Sequence, residues 1–218
     1  MLNRIFLLAC LLGIFLPASA QNRLGFKLDL GASYIRNTLE VSNGSLQVLP
    51  SLSGQLGIFG ELDLGGPSRI GAELLGTYIQ GKDKLEFPTF DINMQQLGTV
   101  YVKYEKELAY LSVPLWYGVD FGKWTVNAGV QGSVLLGSWY WEESRYVEPD
   151  KVTEHRNTDV IQRGFRADFG PRAAVFYHFN DHLSFEGSYY YGLIDAWETL
   201  DSVDNNWWKA ALGIRVSL

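Results

Sequence analysis

Strict alternation of apolar and polar residues, repeated along nearly the whole chain, limits most severely what this sequence can fold into. A period of two is the mark of strands with two unlike faces. From Leu24 to Tyr34 the even positions are Leu24, Phe26, Leu28, Leu30, Ala32 and Tyr34, and the odd ones Gly25, Lys27, Asp29, Gly31 and Ser33. The C-terminus repeats the pattern: Trp208, Ala210, Leu212, Ile214, Val216 and Leu218 share one face, Lys209, Ala211, Gly213, Arg215 and Ser217 the other. Six further segments obey it, at 52–64, 69–80, 108–121, 124–140, 163–179 and 183–193, which makes eight strands. All are long beside the usual globular strand of about 5–6 residues.

The links between them alternate too. Gly65–Ser68, Gly122–Lys123 and Asn180–His182 read as tight turns, whereas 35–51, 81–107, 141–162 and 194–206 are long and polar. All the long links then fall at one end and both termini at the other. An all-β, eight-stranded antiparallel up-and-down barrel has that arrangement. Pro114 and Pro171 lie inside predicted strands and each removes a ladder donor, so a bulge or frayed ladder is expected beside each.

The polar face carries Lys27, Asp29, Glu61, Glu73, Arg166, Asp168, Arg172, Glu186 and Arg215, interspersed with glycines. Charges of both signs among small residues suit the crowded lumen of a narrow barrel, with the apolar face turned outward to lipid. Aromatics on the apolar face fall at two levels: Phe121, Trp124, Tyr177 and Phe179 flank the short turns, and Tyr34, Tyr78, Tyr140, Phe165, Tyr191 and Trp208 lie towards the long loops. Two girdles with aliphatic residues between them match the two interfaces of a bilayer. The reading is a transmembrane barrel with short periplasmic turns and long extracellular loops.

Residues 1–20 carry Arg4, an apolar run from Ile5 to Leu16 and the small-residue stretch Ala18-Ser19-Ala20, the layout of a cleaved export signal. The barrel is then expected to occupy 21–218. The single cysteine, Cys10, lies inside the signal, so the mature chain lacks a thiolate nucleophile and a disulfide framework. A formal net charge of −6 disfavours nucleic acid as a partner.

The stretch YLSVPLWYGVDFG at 110–122 resembles small bacterial outer-membrane β-barrels of the porin-family or PorT-like kind, which share a Tyr-Leu-x-x-Pro-Leu segment. WTVNAGVQGSVLL (124–136), GPRAAVFYHFNDHLSFEGSYYYGL (170–193) and WKAALGIRVSL (208–218) extend the likeness over most of the chain. The resemblance implies an outer-membrane, multi-pass barrel of eight strands without a settled common activity, some relatives being linked to secretion. Outer-membrane strands usually end in an aromatic residue; here the chain ends in Leu218.

A barrel of eight strands is just wide enough to be filled by its own side chains. The interior charges are therefore expected to form a structural network, with a narrow ion path as the alternative use. Ser184 with His182 and Glu186 offers the residue types of a hydrolase but no favourable spacing. His155, His178 and His182 complete no metal shell. Among the loops, 141–162 and the acidic string Asp195, Glu198, Asp201 and Asp204 read as solvated faces. The alternation Thr99 to Tyr104 suggests a hairpin continuing beyond the membrane, able to recruit partners by edge pairing. The expected protein is a non-enzymatic anchor, binding or assembly component without a cofactor. Its expected partners are membrane lipids and, through the long loops, other envelope or secretion proteins. A narrow diffusion channel is the first alternative and an outer-membrane lipid hydrolase the second.

Overall fold

A computed structural model describes residues 23–35, 44–90, 96–148, 151–160, 167–193 and 207–218. The expected signal, 1–20, lies outside these residues, as do Arg166, Phe165 and the acidic string at 195–204. Ten strands form: β1 (Arg23–Ile35), β2 (Ser45–Leu49), β3 (Ser51–Asp63), β4 (Ser68–Phe90), β5 (Gln96–Phe121), β6 (Trp124–Glu148), β7 (Lys151–Val160), β8 (Ala167–His178), β9 (Leu183–Tyr191) and β10 (Trp207–Ser217). Eight of them close a ring in the order β1–β3–β4–β5–β6–β8–β9–β10, every neighbouring pair antiparallel. The first strand closes on the last through Gly25↔Ser217 to Ile35↔Trp207, and Leu218 N donates to Leu24 O. No edge is left within the ring, as lipid demands.

Alternation decides which side chains enter. Along β8 and β10 every second residue is buried and its neighbours are exposed. The buried set is Lys27, Asp29, Glu73, Arg172, Glu186, Lys209 and Arg215, while Leu28, Leu30, Leu56, Leu115, Leu212 and Ile214 stand exposed. A soluble fold would reverse this. The tight turns form where glycine permits positive φ, at Gly65, Gly66 and Gly122, and Asn180 Oδ1 caps the third by accepting from the His182 and Leu183 amides.

Three features differ from the sequence reading. The stretches 81–107 and 141–162 are largely strand rather than loop: β4, β5 and β6 run for 23, 26 and 25 residues, far beyond the ring. β2 pairs with the top of β4 and β7 with the top of β6, giving a sheet ordered β2–β4–β5–β6–β7 that stands above one side of the barrel. That sheet fulfils the hairpin expected from Thr99 to Tyr104. A bulge that the sequence does not announce lies in β6, where the β5 partners pass from Ala109↔Gly137 to Tyr110↔Leu135 and leave Leu136 over. The ladder does break at both prolines: β4–β5 pairing skips from Ala72↔Leu115 to Leu75↔Ser112 around Pro114, and β8–β9 pairing starts at Arg172, just past Pro171. Proline has no N–H to give there.

Candidate functional site

The lumen is the candidate site, and its lower half is a layer of charge. Lys27 on β1 contacts Glu186 at 2.6 Å, Glu73 at 3.1 Å and Asp29 at 3.1 Å. Arg172 on β8 meets Glu186 at 2.6 Å and Glu73 at 3.3 Å, and Arg215 on β10 meets Glu61 at 2.6 Å, Glu73 at 2.9 Å and Glu186 at 3.3 Å. Trp116 Nε1 donates to Glu73 at 3.0 Å. The Arg215 guanidinium also lies between the rings of Phe59 and Phe176, at 3.9 and 4.2 Å from their centroids. Strands from all sides of the ring thus meet on two carboxylates, Glu73 and Glu186. Each ion would cost several kcal/mol alone in such an interior, and the network offsets that cost by setting each of these ions against an opposite charge.

Below this layer, at the end with the short turns, Arg69 binds Asp120 through both Nε (2.6 Å) and Nη2. Thr125 donates to Asp120 at 2.5 Å, so its oxygen is free to accept from His178 Nε2 at 2.7 Å. That leaves His178 Nδ1 as acceptor for the Ser184 hydroxyl, also at 2.7 Å. The structure does not bring Ser184 together with His182 and Glu186, in keeping with their unfavourable spacing. His182 lies in the exposed turn near the Ser217 carbonyl, Glu186 belongs to the ion network, and His178 is the partner of Ser184.

Above the charge layer, hydroxyls and carboxamides cross β3 to β6: Gln55 donates to Thr77, Thr77 to Ser112, and the Ser112 and Ser133 hydroxyls hydrogen-bond to each other, all within 2.9 Å. An aromatic plug follows towards the outer rim. Trp207 packs at 4.6 Å from Tyr190 and 5.8 Å from Tyr110, walled by Ile35, Ile79 and Leu108, all almost fully buried. Tyr190 donates to Asp168 at 2.5 Å, which separates Asp168 from the Glu73 layer. The Lys209 ammonium, the Ser188 hydroxyl and the Asn127 carboxamide are buried with no direct hydrogen bond among the described residues.

Of the interior residues singled out from sequence, Lys27, Asp29, Glu61, Glu73, Arg172, Glu186 and Arg215 converge, Asp168 bonds higher up, and Arg166 falls outside the described residues. The turn-side aromatics form a contiguous belt: Trp124, Tyr177, Phe179 and Phe185 lie 4.8–4.9 Å apart ring to ring, with Phe121 exposed beside them. On the loop side Tyr34 stacks on Trp208 at 5.6 Å, and Tyr78 and Tyr191 are half-buried on the outward parity. Tyr140 does not join that belt. The bulge at Leu136 reverses the parity of β6, putting Tyr140 on the inner side, stacked on Tyr104 at 5.7 Å, and Trp139 and Trp141 outside. Sequence reasoning missed the interior aromatics Phe59, Tyr110, Trp116, Phe176, Tyr190 and Trp207. Most share the parity of the charged face, and a count by parity instead of by residue class finds them. Among the described residues no group of His, Cys, Asp and Glu is placed to hold a metal ion.

The family model of the outer membrane protein beta-barrel domain matches residues 19–198. No curated protein matches the chain. Among solved structures, Neisserial surface protein A is similar at 10% identity and a TM-score of 0.43, covering 91% of this chain and 100% of its own. The attachment invasion locus protein Ail of Yersinia pestis, bound to the heparin analogue sucrose octasulfate, is similar at 10% identity and 0.40, over 90% and 99%. The outer membrane protease OmpT of Escherichia coli is similar at 7% and 0.39, over 92% and 99%. None of these comparisons names the narrower PorT-like group. With most of its length matched and its leucines turned outward around a charged lumen, the chain belongs to the outer membrane β-barrel domain family and resides in the bacterial outer membrane.

Proposed function

We propose that the protein is a non-enzymatic scaffold: a side-chain-filled barrel that anchors, and holds outside the membrane, the sheet β2–β4–β5–β6–β7. One observation carries this reading, the cross-lumen ion network on Glu73 and Glu186 capped by the Trp207 plug. A lumen crossed at two levels by buried side chains offers solutes no open path. Planar-bilayer recording of the purified protein tests it: the expected trace stays at the lipid background, and steady unitary currents overturn the closed-barrel part. Export by way of a signal removed near residue 20 belongs to the same proposal, and the intact mass of the mature chain checks it.

A second reading, a narrow ion path, draws on Lys209 and Ser188, whose unpaired polar atoms lie between the ion layer and the plug. It requires that Lys209→Met change conductance; a change in heat resistance alone refutes it. The hydrolase alternative draws on the Ser184–His178 pair, and absence of labelling by a serine-reactive fluorophosphonate would dismiss it.

A further inference from the structure

We propose that the outward face of the protruding sheet, around Lys84 and Tyr101, binds the phosphorylated core sugars that an outer-leaflet glycolipid carries above its lipid anchor. The outward faces of two of the long strands, β4 and β5, change character at one level. On β4 they run Ile70, Ala72, Leu74, Gly76 and Tyr78, then Gln80, Lys82 and Lys84; on β5 they run Leu115, Val113, Leu111 and Ala109, then Glu107, Glu105 and Lys103. Gln80 and Glu107 are register partners, so the apolar band ends on one row of β4 and β5, whereas on β6 the outward Trp139 and Trp141 carry it one step further before Glu143. Lys84 lies four residues beyond Gln80. At roughly 3.4 Å per residue on a strand tilted by about 40°, it stands on the order of 10 Å above that edge. Phospholipid headgroups fill only about 5–7 Å per leaflet. The face is thus continuous with the lipid-facing wall yet pitched at the height of a larger, sugar-bearing head.

A groove of about 520 Å³ opens there, lined by Gln47, Lys84, Glu86, Tyr101, Glu143 and Arg145 among others. Two register rows build it, Gln47–Lys84–Lys103–Glu143 and Ser45–Glu86–Tyr101–Arg145. Tyr101 is 42% exposed in its centre, an amphipathic ring on which the C–H face of a sugar can lie. Glu86, Glu143 and Gln47 are exposed and offer acceptors and donors for hydroxyls. Glu105 engages Lys103 at 2.8 Å and Lys82 at 3.7 Å, whereas Lys84 has no ion pair among the described residues. It is a free cation for a phosphate.

Native mass spectrometry of the full mature protein in detergent, titrated with a core-bearing lipopolysaccharide, tests this. The expected result is retention of the glycolipid, weakened at least tenfold by Lys84→Glu and by Tyr101→Ala. Lys123→Glu, in the short turn at the other end, should leave retention unchanged. Equal retention by wild type and both groove variants overturns the proposal. So does equally tight binding of a lipid A without core sugars or of phosphatidylglycerol. Binding of the free core oligosaccharide with no binding of the glycolipid rejects the membrane as its source. Unboiled gel mobility confirms that each variant is folded, and the readout is independent of whether the lumen conducts.

Discussion

Arg215→Met removes the cation that most side chains share while keeping an apolar stem of similar length between Phe59 and Phe176. In the native lumen Lys27, Arg172, Arg215 and Lys209 face Asp29, Glu61, Glu73 and Glu186, four cations against four anions, all buried. The substitution leaves one excess negative charge in a closed interior. Glu61 suffers most, because its remaining cation, Arg69, lies at 3.6 Å against 2.6 Å for Arg215. Breaking a buried pair from one side costs about 3–5 kcal/mol, and the lost stacking on two rings adds to that. Urea unfolding in micelles, followed by the mobility shift of the unheated barrel, reads this directly. Removing the stranded charge as well should recover much of the loss, so Arg215→Met with Glu61→Gln is expected to be more stable than Arg215→Met alone. A single-variant loss below about 1 kcal/mol, the value of an exposed pair, would refute the claim that the network holds the lumen together.

Trp207→Ala empties the plug beneath Tyr110 and Tyr190, and a cost of about 3–5 kcal/mol is expected in the same urea assay. Gly129→Ala drives a methyl into the Leu115 carbonyl and within 2.6 Å of Trp116 Cα, whereas Gly132→Ala meets nothing within 4 Å. Only the first should lower the yield of heat-modifiable barrel. In the protruding sheet the hydrogen bond from Lys103, helped by the charges of Lys103 and Lys82, holds the Glu105 carboxyl below its usual 4.5. A depressed acid stabilises the fold fully above its unfolded value and loses that contribution as pH falls through the folded one. Protease protection of β4–β5 should therefore be flat from neutral pH down to about 4.5 and decline below it, and Glu105→Gln should abolish the decline.

Period-two patterning made the eight ring strands legible because lipid outside and ions inside leave no ambiguity about either face. From Leu24 to Tyr34 each residue has one permitted side. The rule fails where the environment stops being lipid. Beyond Tyr78 and Ala109 both faces of the hairpin meet water or protein, so Lys82, Lys84 and Lys103 read as loop although they continue the ladder. Tyr140 was misplaced for a different reason: one residue left over at Leu136 reverses parity, and no residue type in Leu135-Leu136-Gly137 announces it. Convergence of Arg172 and Arg215 on Glu73 was legible as a face but not as a contact. Their separations of 99 and 142 residues in sequence are set by barrel closure, which no local pattern encodes.

The polarity of the lumen also has a consequence before folding. An outer-membrane chain must first cross the inner membrane unfolded, and an apolar stretch of about 20 residues would be retained there as a helix. The β5–β6 hairpin comes nearest to that limit, because its turn is only Gly122-Lys123 and residues 108–136 read LAYLSVPLWYGVDFGKWTVNAGVQGSVLL. Asp120 and Lys123 lie at the middle of that stretch, where a charge disfavours insertion by about 2.5–3.5 kcal/mol each. Replacing both by Val removes about 5–7 kcal/mol of that barrier and leaves Ser112, Thr125, Asn127, Gln131 and Ser133 as the main polar interruptions. Membrane fractionation should then find the double variant held in the inner membrane, while the same chain refolded from urea still forms a barrel, weakened at the Arg69–Asp120 pair. Delivery to the outer membrane at the native level would show that Asp120 and Lys123 play no part before folding.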